Sequence, residues 1–268
     1  MSEEDMPGIV IPGDDVNINL GESTTTAGPG IYKNPRNQEI IPTTAGYLNV
    51  RQNKANTQNL IYIDSNSKRY IPQVNDLVIG IITGVLGESY KVQLQDHSTN
   101  LLLSMTAFPN ATKKNRPNLR VGQAVYARVS QADPNIDAEV ECFDPTTGKD
   151  GGFGLLDESG YIFDVNLNFA RDLLFNQNSP FLEKLATRCK FEIAIGMNGK
   201  IWLKCGDGVK AREADSSSTQ ENTNGNTDKS ALIKNLKTTL AAAKYLTRCQ
   251  SISVDQVDEE LRAAFKSI

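Results

Sequence analysis

The stretch that decides the fold is DLVIGIITGVLGESYKVQL, residues 76–94. It contains two runs rich in β-forming side chains, 76–85 and 89–94. Gly80, Gly84 and Gly87 suit tight bends at the corners of a barrel, where a side chain would clash. Further β-type runs follow at 100–104, 124–129 and 138–142, and in the last two the apolar side chains alternate with period two. Five strands within residues 68–145 predict a closed barrel of the OB type.

The residues before position 68 predict a separate β unit. Turn-forming pairs such as Pro12-Gly13 and Asn34-Pro35 divide this part of the chain into short segments. The β-type segments between the turns are 8–11, 47–50 and 60–63. We expect residues 21–27 to form a loop. Residues 1–67 are therefore predicted to be an N-terminal β domain.

Residues 146–268 change character and predict an α+β domain. Apolar side chains spaced three and four apart predict helices at 167–175, 180–189, 231–248 and 254–265. Two apolar runs flank Met197-Asn198-Gly199, and Asn-Gly between such runs is a strong hairpin signal. Residues 215–228 carry no apolar side chain, so they cannot bury surface. We expect them to lie in a disordered insertion at about 206–229.

Composition excludes several classes of protein. A hydrophobic fraction of 39% with 22% charged residues is ordinary for a globular protein and argues against wholesale disorder. The apolar runs are far shorter than the roughly 20 residues that span a bilayer, so no membrane segment is expected. The chain has four cysteines without a Cys-x-x-Cys pair and a single histidine, His97. Neither a metal site nor a cofactor is predicted.

No motif for catalysis is visible in the sequence. A hydrolase usually has a nucleophile with a base, clustered carboxylates or a phosphate-binding loop. The glycine-rich segment 151–154 lacks the Gly-Lys-Ser/Thr ending of a P-loop, so a tight connection is the better interpretation. Glu139 and Glu141 share a strand face without a third ligand nearby. We therefore predict no catalytic residue and no enzymatic activity.

Positive charge is concentrated in one stretch, although the net charge is −4. No Asp or Glu occurs from His97 through Ala132, and the cations between two predicted barrel strands are Lys113, Lys114, Arg116 and Arg120. Such a basic edge beside an OB barrel suits single-stranded nucleic acid. Tyr90 is a candidate ring for base stacking, and Phe108 could add another. Alternatively, the charges only solvate a loop and Tyr90 fills the barrel.

The tetrad 196–199, Gly-Met-Asn-Gly, has two interpretations. KH domains clamp a nucleic-acid backbone with a Gly-x-x-Gly loop, but that loop joins two helices. Here the tetrad joins two predicted strands, which favours a structural turn formed by Gly196, Asn198 and Gly199. We expect Trp202, just beyond the turn, to be a packing residue.

Four segments are distinctive: 69–72 (RYIP), 76–80 (DLVIG), 112–117 (TKKNRP) and 196–202 (GMNGKIW). They closely resemble segments of the ribosomal RNA-processing protein 40 family, the KH-domain cap subunits of the eukaryotic RNA exosome. The resemblance implies an N-terminal β domain, a barrel of the ribosomal-protein-S-one type and a C-terminal KH domain. It also implies that the tetrad packs the KH domain against the barrel. One departure is Ser104, because such barrels often carry a histidine near this position.

The resemblance further implies a role without catalysis. In that family, three cap proteins sit on six RNase-PH-like ring subunits and line the mouth of an RNA channel, and an associated nuclease degrades RNA from its 3′ end. The expected partners are single-stranded RNA, ring subunits and other cap subunits, in the nucleus, nucleolus and cytoplasm, for rRNA processing and RNA decay. A free-standing RNA-binding factor, a nuclease and a purely architectural subunit are the alternatives.

Overall fold

The computed structural model describes residues 8–16, 24–52, 58–112, 114–133, 135–176, 179–206 and 227–266. The chain divides into two compact units, Met1–Ser67 and Lys68–Ile268. None of the helices among the described residues is both long enough and apolar enough to cross a membrane.

The first unit is built from short strands. They are β1 (Ile9–Val10), β2 (Thr24–Ala27), β3 (Ile31–Lys33), β4 (Ile40–Pro42), β5 (Gly46–Gln52) and β6 (Gln58–Asp64). Four of them form a sheet in the order β1-β5-β6-β2, and β3 pairs with β4. The predicted loop at 21–27 is wrong for Thr24–Ala27, which pairs in parallel with β6. This partner strand is distant in sequence, so local composition did not indicate it.

The second unit begins with the barrel. Its strands are β7 (Leu77–Leu86), β8 (Ser89–Gln93), β9 (Leu101–Ser104), β10 (Ala124–Gln131) and β11 (Glu139–Glu141), and a short β12 (Gly154–Leu155) extends β10. The order β11-β9-β8-β7-β10 closes because β10 also pairs with β11. The predicted OB-type barrel is therefore confirmed. Its interior is filled by alternating apolar side chains such as Val78, Val92 and Leu103, all fully buried.

Two glycines of β7 have different structural roles. At Gly80 an added Cβ would lie 2.1 Å from Cγ1 of Val92, so only glycine fits where β7 and β8 approach each other. Gly84 follows a shift in the pairing register between Ile82 and Gly84, as expected for a β-bulge. The two glycines thus lie where β7 approaches β8 and where their pairing register shifts.

The rest of the second unit is the α+β domain. It contains β13 (Tyr161–Asp164), α1 (Leu167–Phe175), α2 (Pro180–Ala186), β14 (Phe191–Ile195), β15 (Lys200–Cys205), α3 (Thr227–Cys249), a 3₁₀ turn (Val254–Gln256) and α4 (Val257–Ala264). The antiparallel sheet has the order β13-β15-β14. Ile201, Leu203 and Cys205 of β15 share one buried core with side chains of the four helices.

The predicted insertion at 206–229 falls mostly outside the described residues. Its last three residues, 227–229, belong to α3, so the helix begins earlier than the predicted start at residue 231. The Asn-Gly hairpin forms as expected, with β14 and β15 paired from Phe191↔Cys205 to Ile195↔Ile201.

Candidate nucleic-acid interface

The basic loop, residues 110–120, lies in the connection between β9 and β10. A tight turn shapes its start: the Thr112 N–H donates to the Asn115 carbonyl (2.9 Å), and the Asn115 N–H donates to the Thr112 carbonyl (3.1 Å). Lys114, Arg116 and Arg120 are exposed. Lys113 lies outside the described residues.

The three described cations of the basic loop are available for an external anion. None of the ion pairs found between described side chains involves Lys114, Arg116 or Arg120. The Glu158 carboxylate accepts a hydrogen bond from Nε2 of Gln123 (2.8 Å), and none of the ion pairs found joins Glu158 to a described cation of the loop. The loop therefore presents positive charge that the described carboxylates do not neutralise.

Tyr90 corrects the prediction of a stacking ring. Its residue is 2% exposed, and the ring lies in the core of the barrel. The hydroxyl donates to the Pro117 carbonyl (2.7 Å) and accepts from the Leu119 N–H (3.2 Å). Alternation in β8 could not decide which face is interior, and here Tyr90 faces inward. It fastens the basic loop to the barrel and cannot stack on a base.

The other expected contacts on this side of the barrel are modest. Phe108 is partly buried and packs against the barrel core, so its ring is only partly accessible. Ser104 Oγ lies 2.9 Å from Oγ1 of Thr106, so a pair of hydroxyls lies at the end of β9. The described part of this surface offers cations and hydroxyls.

Asn198 joins the α+β domain to the barrel. Its side chain donates to the carbonyls of Ile79 (2.8 Å) and Leu94 (2.7 Å) and accepts from the Ile79 N–H (3.2 Å). On its other edge β7 pairs with β10, but its pairing with β8 starts only at Ile81. On the β8 side, the Asn198 amide therefore takes the place of a strand partner for Ile79. Asn198 is 1% exposed, and all three bonds are buried.

The glycines of the tetrad make this contact possible. At Gly196 an added Cβ would lie 2.8 Å from the Ile79 nitrogen, and Gly199 has a φ of +81°, which favours glycine. The Met197 N–H donates to the Leu77 carbonyl (2.7 Å). The turn thus contacts the barrel through its backbone and through Asn198, which leaves these groups unavailable to a nucleic-acid backbone.

Trp202 lies on β15 and is 3% exposed. Its Nε1 donates to the Asp157 carbonyl (3.1 Å), and an added Cβ at Gly160 would lie 2.1 Å from that nitrogen. Trp202 therefore packs against the segment that leads into β13.

Asp157 in this segment is also held by charge. The Lys204 ammonium, hydrogen-bonded to the Asp157 carboxylate at 2.5 Å, and the Ser159 N–H lower the pKa of Asp157 to about 2.

Family models match three consecutive parts of the chain. The Exosome complex exonuclease Rrp40 N-terminal domain matches residues 25–69, the Exosome complex component RRP40 S1 domain matches 70–154, and a KH domain matches 160–209. The basic loop and Tyr90 fall within the S1 match. The tetrad and Trp202 fall within the KH match.

Curated relatives agree with these matches. The Saccharomyces cerevisiae exosome complex component RRP40 is 54% identical over 202 residues, which cover 75% of this chain and 82% of that protein. The chain belongs to the RRP40 family. The Schizosaccharomyces pombe RRP40 is 41% identical over 74% of this chain and 79% of its own length, and the Drosophila melanogaster RRP40 is 36% identical over 73% and 81%. The resemblance seen in the sequence is confirmed, as is the combination of S1 and KH domains.

Two further residues of this RRP40 family member contribute to the contact between the barrel and the KH domain, and the sequence did not predict either of them. The Tyr126 hydroxyl donates to the Ile195 carbonyl (3.3 Å), and its ring stacks on Phe153 with centroids 5.5 Å apart. Burial raises the pKa of Tyr126 to about 12. Nε2 of Gln95 donates to the Asn198 carbonyl (3.2 Å). An aromatic between the inward-facing Val125 and Ala127 was the available signal, because it must point away from the barrel core.

Proposed function

We propose that the chain is a cap subunit of the RNA exosome that binds single-stranded RNA and helps guide it into the central channel during rRNA processing and RNA decay. The observation that carries this proposal is the basic loop. Its described cations are exposed, and Tyr90 holds its backbone to the barrel at Pro117 and Leu119. The loop can attract phosphates while its attachment stays fixed.

The expected binding has no sequence preference. Contacts to phosphates position a strand without specifying its bases, whereas base recognition needs stacking platforms or groups aimed at base edges. Tyr90 is buried, so the loop acts mainly through Lys114, Arg116 and Arg120. Charge without base recognition suits a channel that accepts any RNA.

The proposed partners are six RNase-PH-like ring subunits, the other cap subunits and, indirectly, the catalytic nuclease. Relatives at 54% and 41% identity are named exosome complex components, which supports this assignment. Nucleus, nucleolus and cytoplasm are the proposed locations. A free-standing RNA-binding factor would instead elute from gel filtration of cell extract as a small species.

The proposed role is guidance without chemistry. Among the described residues, no group of three or more His, Cys, Asp or Glu side chains could hold a metal ion. Burial raises the pKa of Cys142 to about 12, so this thiol stays protonated and is a poor nucleophile. Reproducible degradation of labelled single-stranded RNA by the purified chain with Mg²⁺ would overturn this part of the proposal.

The first test removes the charge of the basic loop. Affinity for RNA falls as salt rises, and each phosphate contact on a single strand adds about 0.7 to the steepness of log affinity against log salt. Replacing Lys113, Lys114, Arg116 and Arg120 with Ala in the assembled complex should therefore make this dependence shallower by up to about 3. The measurement is fluorescence anisotropy of labelled RNA at several salt concentrations.

A matched control removes four exposed cations from other parts of the chain, namely Lys149, Arg188, Arg262 and Lys266. We expect this control to leave the slope close to that of the unmodified complex. Equal slopes for all three complexes would contradict RNA guidance by the loop and would favour a purely architectural subunit.

A further inference from the structure

Helix α3 carries an apolar stripe that the described part of the chain leaves exposed. The stripe consists of Leu232, Ile233, Leu236 and Leu240, which are 64%, 56%, 54% and 45% exposed. Three of these side chains are four residues apart and therefore lie in one row along the helix. A contiguous exposed aliphatic row of this kind marks an interaction surface more often than isolated exposed side chains do.

The two halves of α3 have different environments. Ala242, Tyr245 and Leu246 in the second half are fully buried in the core of the KH domain. At the middle of the helix, Thr239 Oγ1 accepts from the N–H of Cys205, the last residue of β15 (3.0 Å). The first half therefore continues for about three turns beyond this contact, and its outer face is the stripe.

The connection between β15 and α3 does not offer an apolar complement for the stripe. Residues 207–226 contain one large aliphatic side chain, Val209, and are otherwise dominated by Ser, Thr, Asn, Gln and charged residues. A segment of this composition gains little by covering leucines. The connection therefore does not provide the occupant of the stripe.

Charge indicates what the occupant offers. No Asp or Glu occurs from Lys229 through Cys249. Lys237 follows Ile233 by four residues and Lys244 follows Leu240 by four, and both lysines are exposed. Each ammonium thus lies next to an apolar side chain on the same helix face. A complementary surface is an apolar groove bordered by carboxylates.

We propose that the stripe is a docking site for a protein partner that receives α3 in such an acidic-rimmed apolar groove. This is the helix-in-groove mode, in which anchors recur at i, i+3, i+4 and i+7, and Ile233, Leu236 and Leu240 have the spacing i, i+3 and i+7. RNA fits less well, because the anchors are aliphatic and provide no ring on which bases stack. The surface is distinct from the basic loop and does not depend on RNA binding by that loop.

The test uses the native complex purified through a tag on the full chain. A carbodiimide joins amines to carboxylates without a spacer, and we expect it to link Lys237 or Lys244 to Asp or Glu of one other protein at residues that flank an apolar groove. Amide exchange at 232–240 should be slower in the complex than in the free chain. Links only to another copy of this chain, or equal exchange rates, would overturn the proposal.

A pair of variants tests the anchors themselves. Leu232→Gln with Leu236→Gln should weaken retention of that linked protein about tenfold or more, because the change removes two apolar contacts from the interface. Both side chains are exposed, so the circular dichroism spectrum of the free chain should not change. Val254→Gln, at a residue that is 60% exposed outside α3, is the matched control and should retain the partner. Equal retention by both variants would also overturn the proposal.

Discussion

Asn198→Asp is expected to lower the free energy of unfolding of the second unit by about 4 kcal/mol, because both side-chain donors are lost and a charge enters a buried site. The Ile79 and Leu94 carbonyls would lose their amide partner and face a carboxylate instead. Asn198→Ala should cost roughly 3 kcal/mol, since it leaves three backbone groups without a partner but adds no charge.

The measurement for the Asn198 variants is urea unfolding followed by tryptophan fluorescence. Trp202 is the single tryptophan of the chain, so the signal reports the second unit. Asn135→Asp makes the same chemical change at an exposed residue and should cost little. Equal stability of Asn198→Asp and Asn135→Asp would show that the buried Asn198 amide does not hold the KH domain to the barrel.

Trp202→Arg is expected to lower stability by roughly 4–5 kcal/mol, because it removes a large buried ring and places a guanidinium in the same space. Ile162 and Ala194 flank Trp202 on the neighbouring strands. The Asp157 carboxylate already pairs with Lys204, so it is a poor partner for the new charge. Assembly of the variant into the complex should fall with its stability.

Thermal unfolding by circular dichroism tests the Trp202 variant. Trp202→Phe is the matched control: it keeps an aromatic ring but loses the hydrogen bond to the Asp157 carbonyl, so a smaller loss of about 1–2 kcal/mol is expected. Normal melting and normal incorporation of Trp202→Arg would contradict a packing role for this residue.

Local patterns predicted most elements of the second unit, but not the strands β12 and β13. Helix α1 has the predicted bounds, Leu167–Phe175, and the hairpin at Asn198-Gly199 forms where the Asn-Gly signal lies. Alternation and glycine placement gave the five barrel strands because each strand has one face toward a single core. These features depend on neighbours within a few residues.

Contacts between distant residues were not predictable in the same way. Asn198 bonds to backbone groups 119 and 104 residues away, and no side-chain pattern identifies such partners. For Tyr90, alternation indicated a strand but not that its hydroxyl would find the Pro117 carbonyl inside the barrel. In α3, periodicity indicated an apolar face, yet it could not reveal that the described part of the chain leaves Leu232 and Leu236 exposed.

If RNA passes along the basic loop, cross-linking in the intact complex should place the RNA there. RNA containing 4-thiouridine would be bound to the purified complex, irradiated and digested, and the modified peptides identified by mass spectrometry. We expect the nucleotide adducts on this chain to fall within residues 108–120. Adducts confined to residues 196–199, or adducts on other subunits with none on this chain, would contradict it.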